Sequence, residues 1–183
     1  MKHPLIANKI AIFVLSLSFL LLTGTASAFT NLETGKNDDI KNYIGKNKWT
    51  VLEVWASDCP SCRAHMPEMV KFDGKLKNAR LLSVSLDGQK GIDDAKAFID
   101  EFGVKFPTIL SNNIEMNIWM QQSLGEPLIG TPTFILFDQD GKLVAAQPGI
   151  VATSSLEKFI IQNSKPEKKE IKVVDVWDEN TNK

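Results

Sequence analysis

The sequence predicts one α/β domain in which a central mixed β-sheet is flanked by helices. Strand-like and helix-like segments alternate along most of its 183 residues, a pattern typical of layered α/β domains. Residues 50–56, TVLEVWA, form a nearly continuous β-branched and apolar run that suits a strand buried on both faces. Residues 133–146 predict a closing hairpin that turns at Asp140-Gly141. An antiparallel hairpin added to strands that helices connect makes the sheet mixed.

The N-terminal residues have the pattern of a secretory signal peptide. Lys2 and Lys9 supply a positive start, and residues 10–22 form an apolar stretch of about 13 residues. That stretch is shorter than the roughly 20 residues that a membrane span needs. Residues 26–28, Ala-Ser-Ala, provide a small-x-small cleavage site. We therefore predict an exported, periplasmic protein cleaved after Ala28, and a retained N-terminal anchor helix is the alternative.

Domain organisation follows from this cleavage site. Removal of residues 1–28 from 183 leaves 155, enough for one domain that buries its own core. We assign residues 29–164 to this domain and residues 165–183 to a charged linker and C-terminal tail. The net charge of −1 becomes −3, because Lys2 and Lys9 are lost with the leader. Such a weakly acidic chain gives no reason to expect a nucleic acid or an anionic membrane surface as partner.

The elements of the first half are read from their hydrophobic spacing. Residues 38–47 predict a short amphipathic helix, and the buried strand 50–56 follows. Residues 60–76 predict a helix with Pro60 in its first turn, where a missing N–H has no consequence. Residues 79–86, ARLLSVSL, predict a second strand.

The second half contains three more helices and the hairpin. Residues 92–103 have apolar positions at helical spacing and a glycine at the end, and residues 113–124 predict another helix. The hairpin at 133–146 comes next, and residues 153–163 predict a last helix that begins on an N-capping residue. The domain is therefore expected to end on a helix.

The chain has only two cysteines, Cys59 and Cys62, in the motif Cys-Pro-Ser-Cys. A disulfide across two intervening residues removes little chain entropy, so a structural staple is a poor explanation. A structural zinc ion needs four ligands, and beyond the leader the chain adds only His65 to the two cysteines, so we predict no metal. Redox chemistry of the two thiols is the remaining interpretation.

The position of the motif favours that chemistry. Cys59 comes directly before the predicted helix, where free N–H groups and the positive end of the helix dipole favour a thiolate. A thiolate is both the nucleophile and a good leaving group in disulfide exchange. Cys62 lies one turn deeper and is expected to resolve the mixed disulfide. Pro60 stiffens the turn and Ser61 leaves it open.

The order of these motifs resembles the thioredoxin fold. A buried strand leads into Trp55-x-x-x-Cys59-x-x-Cys62 at the start of a helix, and Thr131-Pro132 precedes the hairpin. The resemblance covers residues 36–163. The segment 85–110, between the two halves, looks like the central insertion of the TlpA/ResA branch, and FDQDGKLV after Thr131-Pro132 is similar to that branch too.

The resemblance implies an exported thiol–disulfide oxidoreductase whose partners are protein thiols or disulfides and a membrane electron donor or acceptor. It implies no cofactor besides the redox-active Cys59–Cys62 pair. It also implies a cis peptide bond at Pro132, beside which the backbone of Thr131 pairs with an extended substrate. Trp55 is expected to line the same site.

Three further residues are expected to tune the cysteines. Glu53 lies six residues before Cys59, where the resemblance implies a buried acid that relays a proton to or from the deeper thiol; burial raises the pKa of such a carboxyl. His65 stands where TlpA/ResA proteins usually have an acid, and is either a surface residue or a titrating modulator. Asp58 stands where a tryptophan is usual, and its carboxylate opposes thiolate formation at Cys59.

The direction of electron flow depends on these departures. The insertion and the threonine before Pro132 resemble the reducing branch, which serves apocytochrome c among other partners. An oxidase needs an unusually stable thiolate, which Asp58 works against. We therefore predict a reductase. A disulfide oxidase or isomerase is the alternative, and a non-catalytic binding module of the same fold is a third interpretation.

Overall fold

The computed structural model describes residues 29–164, and within them a seven-stranded mixed sheet forms the centre of the fold. The predicted leader, 1–28, and the predicted tail, 165–183, lie outside the described residues. The strands, with their residue bounds, are β1 (Phe29–Asn31), β2 (Asn37–Asp38), β3 (Trp49–Trp55), β4 (Ala79–Ser85), β5 (Thr108–Leu110), β6 (Thr133–Phe137) and β7 (Leu143–Pro148).

Four α-helices connect and cover these strands. They are α1 (Pro60–Phe72), α2 (Ile92–Phe102), α3 (Asn113–Leu124) and α4 (Thr153–Asn163), and short 3₁₀ turns lie at Ile40–Tyr43 and Gln89–Gly91. None of the helices in residues 29–164 has the length and apolarity that crossing a bilayer requires.

The strand order β2-β1-β5-β4-β3-β6-β7 places β3 near the middle of the sheet. β3 runs parallel to β4, and β4 runs parallel to β5, so the carboxyl ends of these three strands meet at one end of the sheet. β6 pairs antiparallel with β3, and β7 extends the hairpin. The predicted mixed sheet is therefore confirmed, and α2 with β5 forms the inserted segment between β4 and α3.

The two faces of the sheet bury separate halves of the core. Every residue of β3 is buried, as the continuous apolar run predicts. Val51 and Trp55 face α1, α2 and α4, whereas Leu52 and Val54 face α3 and the turn at Ile40. Since Glu53 has the same parity as Val51 and Trp55, its side chain points to the face that α1 covers.

Three sequence predictions about local structure are wrong. Residues 38–47 form only the 3₁₀ turn, because Gly45, Lys46 and Asn47 all have positive φ angles and break the helix. The first long helix ends at Phe72 rather than at 76, since Gly74 has φ of 72°. The last helix begins without a side-chain cap, after Ala152.

The two ends of the described chain lie at opposite ends of the sheet. Thr30 of β1 pairs with Leu110, at the carboxyl end of β5, so Phe29 lies at the end of the sheet to which β3 delivers the cysteines. Ser164 follows α4, and its hydroxyl accepts hydrogen bonds from the Trp49 indole at 3.0 Å and the Asn78 amide at 2.7 Å. Trp49 begins β3, so Ser164 marks the other end.

Candidate active site

Cys59 and Cys62 lie just past the carboxyl end of β3, and a disulfide joins them with their Cα atoms 5.3 Å apart. Cys59 is the N-cap of α1, and Pro60 is the first helical residue, as predicted from the sequence. The backbone N–H of Cys62 donates to the Cys59 sulfur at 3.1 Å. The motif therefore places Cys59 against the free N–H groups and the positive dipole end of a 13-residue helix.

The two sulfurs differ in their access to solvent. Cys59 is 8% exposed, whereas Cys62 is 0% exposed and lies within the core. The Ser61 hydroxyl lies 3.4 Å from the Cys59 sulfur, and the backbone oxygen of Thr131 lies 3.6 Å from it. Cys59 is therefore the sulfur that another molecule can reach.

The segment Thr131-Pro132 lies beside Cys59, and its peptide bond is cis, as the resemblance implied. Pro132 is buried, and its carbonyl accepts a hydrogen bond from the Gly149 N–H at 2.8 Å. This bond ties the end of β7 to the start of β6. The structure thus brings the two halves of the predicted site together, with the Thr131 backbone next to the reachable sulfur.

Glu53 is fully buried in the middle of β3. Neither of its carboxylate oxygens has a hydrogen-bond partner among the described residues. Burial raises the pKa of Glu53 above the ordinary value of a glutamate, and His65 opposes part of that shift. A carboxyl in this position therefore holds its proton to a higher pH than a solvent-exposed glutamate does.

His65 is buried, so its interpretation as a surface residue is wrong. It lies on the face of α1 that packs on the sheet, one turn after Cys62. Its Nδ1 lies 3.9 Å from Glu53 Oε1, and its ring meets Phe134 of β6 edge-on with centroids 5.4 Å apart. This contact could not be predicted from the sequence, because it depends on how α1 packs over β3.

Trp55 does not line an accessible surface, which corrects the prediction that it contacts the substrate. Its side chain is 0% exposed and stacks on Phe98 of α2 with ring centroids 4.2 Å apart. The guanidinium carbon of Arg63 in α1 lies 5.5 Å from the centroid of the same Phe98 ring, and the guanidinium also forms a salt bridge with Glu101. Trp55 therefore joins the inserted helix to the base of the cysteine loop.

Asp58 and Pro60 are exposed, and Ser61 is half-buried. Asp58 is the residue directly before Cys59, and its side chain faces solvent. The predicted influence of Asp58 on the thiolate therefore acts through a solvated carboxylate, which water screens.

Sequence reasoning missed Asp87, which braces the loop before the cysteines. Its carboxylate accepts hydrogen bonds from the Ser57 hydroxyl at 2.6 Å, from the Ser57 N–H at 3.1 Å and from the Ser85 hydroxyl at 2.6 Å. Asp87 lies two residues after the end of β4, the strand that pairs with β3. A polar residue at the carboxyl end of a neighbouring parallel strand was the available signal.

Replacing Asp87 with alanine is expected to destabilise the protein. The Ser57 N–H and two hydroxyls lose their acceptor, and unsatisfied buried donors are costly, so the free energy of unfolding should fall by about 2 kcal/mol. Chemical denaturation of the oxidised protein measures this, with Asp87→Asn as the matched variant that retains one acceptor oxygen. Equal stability of wild type and Asp87→Ala would show that Asp87 does not hold the loop.

Residues 29–164 contain no group of three His, Cys, Asp or Glu side chains close enough to hold a metal ion.

The chain is similar to several curated proteins and solved structures. The thiol–disulfide oxidoreductase ResA of Bacillus thuringiensis (strain Al Hakam) is 29% identical over 137 residues, which cover 72% of this chain and 70% of the relative. ResA of Oceanobacillus iheyensis is 36% identical over 118 residues, covering 63% of this chain and 57% of the relative.

Two structures show the same fold. A thiol:disulfide interchange protein of Chlorobium tepidum TLS superposes with a TM-score of 0.61 at 17% identity, covering 74% of this chain and 91% of that one. A DsbF homologue from Corynebacterium diphtheriae superposes with a TM-score of 0.60 at 23% identity, covering 73% and 82%.

The disulfide at a helix start, together with these relatives, defines a thiol–disulfide oxidoreductase. A family model for the thioredoxin-like domain matches residues 36–163. The chain belongs to the thioredoxin-like domain family.

Proposed function

We propose that this protein is an exported reductase of disulfides in other proteins, with Cys59 and Cys62 as its redox-active pair. Export rests on the N-terminal pattern, with cleavage after Ala28 and a periplasmic location. Electrons for the pair come from a donor in the membrane, because an oxidising compartment otherwise leaves exposed thiols as disulfides. Disulfides of apocytochrome c or related exported proteins are the substrate class that the resemblance to the TlpA/ResA branch implies. The protein itself needs no cofactor besides the dithiol.

The chemistry divides between the two sulfurs by their exposure. The Cys59 thiolate attacks one sulfur of the substrate disulfide, forming a mixed disulfide and releasing the first substrate thiolate, which takes a proton from water. Cys62 then loses its proton and attacks Cys59, so that the Cys59–substrate bond breaks and the second substrate thiolate leaves. The substrate gains two electrons, and the protein ends as the disulfide that the structure contains.

Glu53 is the group that takes the proton of Cys62 in this scheme. Its side chain points to the face of β3 that α1 covers, and Cys62 lies in α1 on that same face. Burial raises the pKa of Glu53, which makes its carboxylate a better acceptor for the proton of a thiol than an ordinary glutamate is. Both Glu53 and Cys62 are fully buried, so bulk solvent does not reach either group.

A protein substrate has a surface to bind next to Cys59. The Thr131 carbonyl offers a backbone acceptor for an extended segment that pairs with it by strand addition. An exposed apolar groove adjoins this point, lined by Ile114 and Ile118 of α3 and by Ile129, with exposures of 73%, 46% and 74%. Apolar residues that flank a substrate disulfide are suited to this groove.

The direction of electron flow rests on one observation: every group of residues 29–164 in polar contact with the Cys59 sulfur is neutral. These groups are the Cys62 N–H, the Ser61 hydroxyl and the Thr131 carbonyl. A strong oxidase requires its reduced form to be stabilised by a very stable thiolate. Here the helix dipole acts without a cationic side chain beside it, and Asp58 precedes the sulfur.

The reduction potential tests this proposal. We expect a value of about −220 to −300 mV for the Cys59–Cys62 couple, near that of thioredoxin. Equilibration of the purified protein with glutathione and dithiothreitol couples, read by mass after thiol alkylation, gives the value. A potential above about −150 mV would instead identify a disulfide oxidase or isomerase. A pair that equilibrates but does not accelerate insulin reduction would favour a binding module.

A further inference from the structure

Glu53 is sealed from solvent, so the proton that it accepts from Cys62 can be exchanged with water only through neighbouring groups. Its side chain is 1% exposed, and no Lys or Arg nitrogen of residues 29–164 lies within 4 Å of the carboxylate. The basic group that faces it is the imidazole of His65. A path through this imidazole leads along the helix α1.

His65 spans the distance from the buried carboxyl to the surface. Its Nδ1 lies 3.9 Å from Glu53 Oε1, and its Nε2 lies 3.8 Å from Oε2 of Glu68, one turn further along α1. The side chain of His65 is 3% exposed, whereas that of Glu68 is 60% exposed. One nitrogen of the ring thus faces the sealed acid, and the other faces an acid in contact with water.

We propose that His65 conducts the proton between Glu53 and Glu68, and so connects the resolving step at Cys62 to solvent. This inference rests on the proposed role of Glu53. The Glu53 carboxyl gives its proton to Nδ1 while Nε2 gives its own proton to the Glu68 carboxylate, which passes it to water. The ring changes tautomer with no net gain or loss of a proton, and Glu53 regains its negative charge. When the donor reduces the pair again, the reverse transfer from water through Glu68 and His65 supplies the proton that Glu53 returns to Cys62, and it restores the first tautomer.

The two distances are longer than hydrogen bonds, which measure about 2.7 to 3.2 Å. A side-chain movement of about 1 Å closes each of them, and such contacts often tighten only during the reaction. Neither ring nitrogen is held by another partner in residues 29–164, so both are free to make these bonds. Both nitrogens can therefore take the two carboxylates as partners.

The surroundings of His65 are otherwise apolar. Phe134 of β6 contacts its ring edge-on, and Glu53 of β3 and Glu68 of its own helix are the carboxylates within 4 Å of its nitrogens among the described residues. Packing alone does not require a histidine whose two ring nitrogens face two different carboxylates. The ring orientation favours proton transfer over packing alone.

The test measures the resolving step directly. The reduced protein is mixed rapidly with a peptide disulfide whose release changes fluorescence, and the rates of attack and of resolution are recorded between pH 6 and pH 9. We expect His65→Gln to slow resolution about tenfold near pH 7 and to leave the attack by Cys59 unchanged. Glu68→Gln should slow resolution about twofold. The matched control Glu126→Gln, another exposed glutamate, should change neither rate.

A rescue experiment separates proton transfer from packing. In His65→Ala, added imidazole should restore the resolution rate, whereas pyrazole, which has the same shape but is a far weaker base, should not. Equal rescue by both compounds would show that His65 only fills space and would overturn the proposal. Unchanged resolution in both His65→Gln and Glu68→Gln would do the same.

A third variant, Glu53→Gln, distinguishes a failure of this inference from a failure of the proposed function. If Glu53→Gln slows resolution while both His65→Gln and Glu68→Gln do not, the proton leaves Glu53 by another route, and only the present inference fails. If Glu53→Gln also resolves at the wild-type rate, the role of Glu53 itself is wrong. Circular dichroism of each variant confirms that the rates are compared between folded proteins.

Discussion

Replacing Cys59 with serine is expected to abolish catalysed disulfide reduction, while replacing Cys62 with serine should trap the substrate. Cys59 is the sulfur that reaches the surface, so without it no mixed disulfide forms and the rate falls to that of the uncatalysed reaction. Cys62 is fully buried and acts only after the attack. Without Cys62 the mixed disulfide between Cys59 and the substrate is not resolved, so a covalent complex remains. Insulin reduction by dithiothreitol measures the first effect, and mass spectrometry without reductant measures the second.

The double variant Cys59→Ser/Cys62→Ser is the control, since it keeps the fold and both side-chain volumes nearly unchanged. It should show neither catalysis nor a covalent complex. A complex formed by Cys59→Ser, but not by Cys62→Ser, would reverse the assignment of the two sulfurs. Such a result would require α1 to open far enough to expose Cys62.

Replacing Glu53 with glutamine is expected to stabilise the oxidised protein at neutral and alkaline pH and to slow resolution. Burial raises the pKa of Glu53, so between its unfolded and folded pKa values the folded state holds a proton that the unfolded chain has released. Wild-type stability therefore falls as pH rises through that window. The Glu53→Gln variant has no such group and avoids the loss, so its advantage over the wild type should grow as the pH rises through that window.

The pH dependence is the decisive part of this prediction. Below the unfolded pKa, near pH 4, both states of the wild type bind the proton and the advantage of Glu53→Gln should disappear. Thermal unfolding at pH 4, 6 and 8 measures it, and Glu126→Gln serves as the exposed control. A stability difference that does not change with pH would mean that Glu53 contributes through packing and not through its charge.

The sequence was sufficient for the parts of the fold that local chemistry determines. The apolar run of β3, the helix start at Pro60 and the hairpin at Asp140-Gly141 each follow from short-range preferences, and all three are confirmed. Their order along the chain was enough to indicate the family. The cis peptide at Pro132 came from that resemblance and not from the residues alone.

The sequence was insufficient where a residue's environment depends on distant segments. Trp55 looked accessible because it stands near the cysteines, but the inserted helix α2 covers it with Phe98. His65 looked polar and exposed, but α1 turns it toward Glu53. No sequence motif marks Asp87, because its hydrogen bonds to Ser57 join residues that are 30 positions apart.

The placement of Phe29 and Ser164 at opposite ends of the sheet has a practical consequence. A tether attached near Gln162, at the end of α4, would fix the molecule to an electrode with its disulfide turned outward to the solution. A tether attached ahead of Phe29 would turn the disulfide toward the support. The same protein immobilised in these two orientations should therefore differ in direct electrical contact and in access for large substrates.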